Sequence, residues 1–222
     1  MNPARIPLWL KVVYSAFVAV LVPYYWRTYG PVNFLWFCDI ALLVTLAALW
    51  LESPLLFSMQ AVAITLPQLL WVVDFLAHLA GIHLLGVAAY MFDPHIPLFV
   101  RGLSSFHGWL PFLLVWTVWR VGYDRRGVVA QTVLALVLLP ICFFFLPPPP
   151  HSAANPTAAV NLNWVYGPGE DVMQTWMAPW KYLLLQMVFW PVVIYLPTHL
   201  ALRRWVPQRP SVAPPGIEPG LS

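Results

Sequence analysis

Four ionisable side chains lie within or beside long apolar runs of the sequence and are the first candidates for chemistry. They are Asp39, Asp74, His78 and His107. An ionisable group at membrane depth is costly unless it is paired, neutral or hydrated, so such groups mark functional sites by default. Asp74 and His78 are spaced i, i+4, which predicts that they share one helix face. A carboxylate beside an imidazole fixes its tautomer and raises its basicity.

The chemistry that these residues suggest is acid–base or nucleophilic catalysis. His107 is the candidate general base, and Asp39 and Asp74 are candidates for orienting the imidazoles of His107 and His78. Cys38 is a candidate nucleophile if His107 reaches it. A structural role is the alternative for each: a helix cap for Asp39, headgroup contacts for the histidines, and a small buried apolar residue for Cys38.

Cofactor chemistry is not expected. The residues His78, His83, Asp93, His95 and His107 are numerous enough to ligate a metal. However, the paired-histidine motifs of membrane di-iron oxygenases and the Cys-x-x-Cys-His haem motif are absent, as are P-loop, Rossmann and GxSxG patterns. A haem held by His78 and His107 stays open as an alternative, and the prediction is no metal and no cofactor.

The composition indicates a protein that lies in a membrane. Of 222 residues, 61% are apolar and only 9% are charged, whereas an ordinary soluble domain carries about 25% charged residues. A soluble enzyme, a disordered chain and a nucleic-acid-binding domain are therefore unlikely. The net charge of +3 is too small for a phosphate-tracking surface and fits a membrane orientation signal.

Six apolar runs are long enough to cross a bilayer core, which takes about 20 helical residues. Continuous apolarity without alternation favours helices over a barrel. We therefore predict an all-α, polytopic bundle of six spans within one transmembrane domain, 1–205, followed by a Pro-rich disordered tail, 206–222. The predicted spans are approximately 7–26, 33–51, 55–79, 105–121, 128–146 and 179–202.

The distribution of Lys and Arg predicts that both termini lie in the cytoplasm. With that topology eight of the eleven basic residues are inside and three, Arg27, Arg101 and Lys181, are outside. Asp39, Asp74, His78 and His107 then all fall in the outer leaflet. Two long outer segments, 81–104 and 147–178, lie above them, the first with an expected interfacial helix and the second with aromatic residues suited to the headgroup level.

Three short stretches resemble a group of uncharacterised bacterial six-span membrane proteins. They are NFLWFCD at 33–39, GYDRR at 122–126 and NWVYGPG at 163–169. FLWFCD at 34–39 and HGWLP at 107–111 are also similar to segments of the androgen-induced-gene-type and YwaF-like intramembrane hydrolases. That second resemblance implies a similar number of spans and, through His107, a histidine-dependent hydrolase. The localisation implied is the bacterial cytoplasmic (inner) membrane.

Three functions are compatible with the sequence. The first is an intramembrane hydrolase or acyl-transfer enzyme that acts on a lipid or other amphiphile at the outer leaflet. The second is a small-solute transporter, since Pro67, Pro111 and Pro191 interrupt predicted helices. The third is a non-catalytic subunit that packs against another membrane protein. The expected partners are membrane lipids, a lipid-like substrate or a membrane protein, and not nucleic acid.

Overall fold

All regular secondary structure in the part of the chain that the structure describes is helical. A computed structural model describes residues 6–151, 159–169 and 172–206, and within them there is no β-strand. Short 3-10 turns occupy Pro31–Leu35, Ala89–Phe92 and Leu162–Trp164. The α-helices are α1 (Leu8–Tyr29), α2 (Phe37–Leu51), α3 (Pro54–Leu79), α4 (Leu98–Ser104), α5 (Phe106–Val121), α6 (Arg126–Phe145), α7 (Pro179–Phe189) and α8 (Leu196–Trp205).

Five of these helical stretches are long and apolar enough to cross a membrane. They are Leu8–Tyr29, Pro54–Leu79, Leu98–Val121, Arg126–Phe145 and Pro179–Trp205. The lengths and compositions indicate an integral membrane protein. The second predicted span forms only the shorter apolar helix α2, because Pro31–Leu35 is wound as a separate 3-10 turn. A crossing by α2 therefore does not follow from its length.

The fourth and the last of the apolar stretches differ most in organisation from the prediction. The fourth apolar stretch begins at Leu98, because α4 runs into α5 with only Ser105 between them. The last stretch contains a π-helical turn, Trp190–Tyr195, between α7 and α8. Pro191 lacks the backbone N–H that a regular helix would use there, which is a common cause of such a turn. The predicted disordered tail lies outside the described residues except for Val206.

Helix α3 is the centre of the bundle. In the most apolar 18 residues of α3, 56% of the residues are buried. The corresponding share is 22–39% in the other four long stretches. It packs against α2, α5 and α6. It approaches α6 closely at Gly127, where an added Cβ would lie 2.8 Å from the backbone of Ser58 and Met59. The hydroxyl of Ser58 accepts the backbone N–H of Asp124 at the same place, 2.9 Å away.

The bundle has two ends of different character. The end that we call the basic end contains the start of α1 and the ends of α2 and α5, with Lys11 paired to Glu52 across 2.6 Å. Cations gather at this end, which holds Lys11, Arg120, Arg125, Arg126, Arg203 and Arg204. The opposite end, which we call the cluster end, holds Asp39, Asp74 and His107.

Candidate functional site

Six polar side chains come together at the cluster end of the bundle. We call them the polar cluster: Tyr25, Asn33, Asp39, Tyr90, Ser104 and His107. They are contributed by α1, by two 3-10 turns and by α2, α4 and α5. Residues far apart in the sequence meet here because α1 and α3 end at this end of the bundle and α2 and α5 begin there.

Asp39 is buried in the first turn of α2. Only 3% of its surface is exposed. Its Oδ2 accepts a hydrogen bond from the side-chain amide of Asn33 at 3.1 Å, and its position near the helix N-terminus favours negative charge. Its Oδ1 is buried and has no hydrogen-bond partner among the described residues. A buried carboxylate oxygen without a donor is costly for stability.

The ring of His107 is held in one tautomer. Its Nδ1 lies 2.8 Å from the backbone oxygen of Ser104, and because a carbonyl oxygen can only accept, Nδ1 carries the proton. In the neutral ring Nε2 is then left with a lone pair. The ring stacks against Trp71 with 5.6 Å between centroids and lies 4.1 Å from the ring of Phe106.

Ser104 connects the two halves of the polar cluster. Its hydroxyl lies 2.7 Å from the hydroxyl of Tyr90 and 3.5 Å from Nδ1 of His107. The phenol of Tyr25 is close enough to both Ser104 and Asp39 to interact with them electrostatically. Asp39 and His107 therefore belong to one group of polar side chains, joined through Tyr25 and Ser104 rather than by a direct contact.

Asp74 holds the loop that follows α3 in place at the cluster end. Its Oδ1 accepts the backbone N–H groups of Leu85 and Gly86 at 2.7 and 3.1 Å, and its Oδ2 accepts that of Ala88 at 2.8 Å. The predicted pairing with His78 is present as an electrostatic interaction. The carboxylate thus satisfies three backbone N–H groups of this loop. Its role in the structure is to anchor the loop.

His78 lies on the same side of the bundle as His107 but apart from it. Five successive ring contacts, with centroid distances of 4.1–5.6 Å, form a row that begins at His107 and ends at His83. Three aromatic rings therefore separate the two candidate histidines. The rings in order are His107, Trp71, Phe75, Phe92, His78 and His83.

Cys38 is half-buried in the first turn of α2. Consecutive residues of a helix point about 100° apart, so Cys38 and Asp39 occupy different faces of α2. The thiol is therefore on another side of the helix from the carboxylate that belongs to the polar cluster.

The loop that carries Asn163 is fixed by this residue onto the N-terminus of α2. Its Oδ1 accepts the backbone N–H of Phe37 at 2.8 Å, and its Nδ2 donates to the backbone oxygen of Leu35 at 2.9 Å. Asn163 adopts a left-handed φ of 54°, which asparagine tolerates better than most residues. The nearby Trp164 packs against Trp36 and Trp190. This loop therefore covers the turn that carries Asn33 and Asp39.

A smaller polar pair lies at the basic end. The hydroxyl of Tyr123 lies 2.6 Å from Nδ1 of His199. Burial, with the charge of Asp124 as a second cause, raises the pKa of the Tyr123 phenol above its usual value, so the phenol keeps its proton at neutral pH. His199 is thus separated from the four candidates at the cluster end, as the predicted spans imply.

Metal-ligating side chains do not assemble in the described part of the chain. No group of three or more His, Cys, Asp or Glu side chains is placed so that it could hold a metal ion there. The two histidines considered for haem are separated by the aromatic row.

A lateral groove lies between α3 and α5, away from the polar cluster. Its volume is about 460 Å³, within the range of small-molecule sites. Its walls are almost entirely apolar and are formed by Thr65, Leu69, Pro111, Phe112, Val115, Trp116 and Trp119.

Several members of the site could not be singled out from the sequence. Tyr25 and Ser104 look like ordinary residues of apolar stretches, and only the i−3 spacing of Ser104 to His107 is a signal for their contact. Asn163 lies in a stretch that the sequence analysis identified, but its cap on α2 depends on a contact over 126 positions.

No protein-family model matches the chain, and neither a curated protein nor a solved structure is significantly similar to it.

Proposed function

We propose that the protein is an intramembrane enzyme of the hydrolase or acyl-transfer type that acts on an amphiphile at the cluster end. The main support is the orientation of His107, whose Nδ1 proton is held by Ser104 and whose Nε2 is left with a lone pair. A second support is the unpartnered Oδ1 of Asp39 in the same polar cluster. Polar groups left unsatisfied in a buried site are typical of places built for a ligand or a reaction.

In the proposed reaction His107 is the general base. Nε2 accepts a proton from water, the water oxygen attacks the carbonyl carbon of an ester, and the alcohol leaves with that proton. Asp39, through Tyr25 and Ser104, keeps the surroundings of the imidazole polar and is a positioning residue. Asp74 supports the outer loop beside the site, and Cys38 has no role in this scheme.

The orientation in the membrane is part of the same proposal. We place the basic end in the cytoplasm, following the preference of Lys and Arg for that side, and count α2 as a sixth crossing. The cluster end then faces the outer leaflet of a bacterial cytoplasmic membrane. The resemblance to intramembrane hydrolases supports the proposed enzyme activity rather than the orientation, and it does so through His107 alone.

A turnover assay on the purified full-length protein tests the function. The substrates are a fluorescent long-chain ester and a labelled phospholipid, both presented in mixed micelles. We expect His107→Ala and His107→Gln to reduce kcat at least about 100-fold, because general-base catalysis contributes roughly 10²–10⁴. The matched control is His95→Ala, which removes an exposed histidine outside the polar cluster.

Two results would reject the enzyme. One is hydrolysis by His107→Ala at the rate of wild type and of His95→Ala. The other is a wild-type protein that turns over neither ester above the rate of empty micelles across a panel of chain lengths. Circular dichroism of each variant separates loss of activity from loss of fold.

A transporter is the second candidate, because unpartnered polar atoms follow the central helix. Within the described residues the side chains of Gln60, Thr65, Gln68 and Trp71 on α3 bury polar atoms that have no hydrogen-bond partner. They extend over roughly 16 Å of helix, and polar side chains in such a position line solute paths in other membrane proteins. Flux of a solute into liposomes that is lost in Gln68→Leu and retained in His107→Ala would favour this candidate over the enzyme.

A further inference from the structure

The groove between α3 and α5 is open to the side of the bundle. Phe112 and Trp119 are more than half exposed, and Leu69 and Trp116 are exposed by 36% and 38%. Helix α3 and the continuous stretch Leu98–Val121, formed by α4 and α5, are both long and apolar enough to cross a membrane. A lateral opening between two such helices faces acyl chains and not water, so an apolar chain is the natural occupant of the groove.

The length of the groove suits one leaflet. Along α5 its walls run from Pro111 to Trp119, roughly 12 Å of helix. Half of a ~30 Å hydrocarbon core is about 15 Å. Trp119 lies two residues before α5 ends at Val121, so this end of the groove is near the level at which a lipid headgroup begins.

A cation lies at the end of the groove where the lipid headgroup would be. The guanidinium of Arg120 lies over the ring of Trp116, 5.6 Å from its centroid, and Trp116 is one wall of the groove. Neither of the two ion pairs among the described residues uses Arg120, since those pairs join Lys11 to Glu52 and Arg126 to Asp124. The charge of Arg120 is thus available to an anionic group positioned above the groove.

We propose that the groove between α3 and α5 binds an anionic glycerophospholipid, with an acyl chain along Leu69, Val115 and Trp116 and the phosphate at Arg120. The site is distinct from the polar cluster and does not depend on the enzyme. The surrounding cations of the basic end make the same end of the molecule favourable for anionic lipid.

Native mass spectrometry of the full-length protein in detergent tests the site. Phosphatidylglycerol and phosphatidylcholine of equal chain length are titrated as the two probes. We expect phosphatidylglycerol to bind more tightly to wild type, and Arg120→Gln to weaken it about fivefold, which is the effect of one cation at a lipid surface. Leu69→Trp, which fills the groove, should weaken both lipids.

Matched controls distinguish this site from general lipid contact. Arg204→Gln removes an exposed cation at the same end, and Leu70→Trp adds the same ring at a neighbouring exposed position that does not line the groove. Both should bind lipid within about twofold of wild type. The proposal is overturned if Arg120→Gln and Leu69→Trp bind like wild type, or if the controls weaken binding equally.

Discussion

In the part of the chain that the structure describes, some buried polar side chains have all of their polar atoms hydrogen-bonded, and others have a polar atom without a partner. Both oxygens of Asp74 accept backbone N–H groups, and both polar atoms of the Asn163 amide are bonded to backbone at the start of α2. Asp39 instead has one oxygen bonded to Asn33 and one without a partner. Removal of a satisfied group should destabilise the fold locally, whereas replacement of an unsatisfied one should not.

Asp74→Asn should release the loop that follows α3 at the cluster end. The amide of asparagine would place a donor against a backbone N–H that Asp74 now binds, so amide exchange at Leu85, Gly86 and Ala88 should become about tenfold faster. Hydrogen–deuterium exchange of the segment 80–92 measures this. Asp93→Asn, which changes a carboxylate with a single backbone bond to His95, is the control, and equal exchange in the two variants would contradict the anchoring role.

Asn163→Gly should lower the free energy of unfolding by about 1–3 kcal/mol. Glycine keeps the left-handed backbone but leaves the N–H of Phe37 and the oxygen of Leu35 without their side-chain partner. Denaturant unfolding in mixed micelles measures the loss. Val172→Ala, at a position that is 68% exposed in the same outer segment, should be close to neutral, and a variant of Asn163 as stable as this control would refute the cap.

The helices show which parts of the fold can be predicted from sequence. Continuous apolarity predicts the helical class and the positions of the long helices. It does not predict the shortness of α2, because Pro31–Leu35 is apolar yet wound as a 3-10 turn. It also misses the approach of Gly127 to α3, since a glycine directly after a charged turn gives no indication of which helix it will contact. The polar cluster is predictable only for Asp39 and His107, because contacts made by Tyr25 and Ser104 depend on tertiary packing.

Gly127→Ala tests the packing of α6 on α3. The added methyl group would lie 2.8 Å from backbone atoms of Ser58 and Met59, so one helix must move, at a cost of about 1–3 kcal/mol in the free energy of unfolding. Gly102→Ala is the matched control, because nothing lies within 4 Å of the added methyl group there. Equal thermal stability of the two variants would show that the helices are not in close contact at Gly127.

At the scale of the whole molecule, charge divides the bundle into two ends. Six cations lie at the basic end, while Asp39, Asp74 and the loop held by Asn163 lie at the cluster end. The positive end of a membrane protein is usually cytoplasmic. Under the proposed topology the polar cluster faces the outside and the lipid groove lies toward the inside.

Cysteine labelling checks this orientation. In a background with Cys38→Ser and Cys142→Ala, Thr175→Cys should react with a membrane-impermeant maleimide in intact cells. Arg204→Cys, at the basic end, should react only after the cells are lysed. Labelling of Arg204→Cys in intact cells, or protection of Thr175→Cys, would reverse the proposed topology and place the polar cluster on the cytoplasmic side.

The most direct test of the polar cluster as a functional site does not require a known substrate. If Asp39 is kept for chemistry, its unpartnered buried oxygen costs stability, and Asp39→Asn should unfold at the same temperature as wild type or higher. Asp74→Asn, which disturbs a fully bonded carboxylate, serves as the reference for a structural role. Thermal unfolding of the purified protein in micelles gives the answer: an unchanged or raised Tm for Asp39→Asn supports a functional cluster, and a fall as large as that of Asp74→Asn contradicts it.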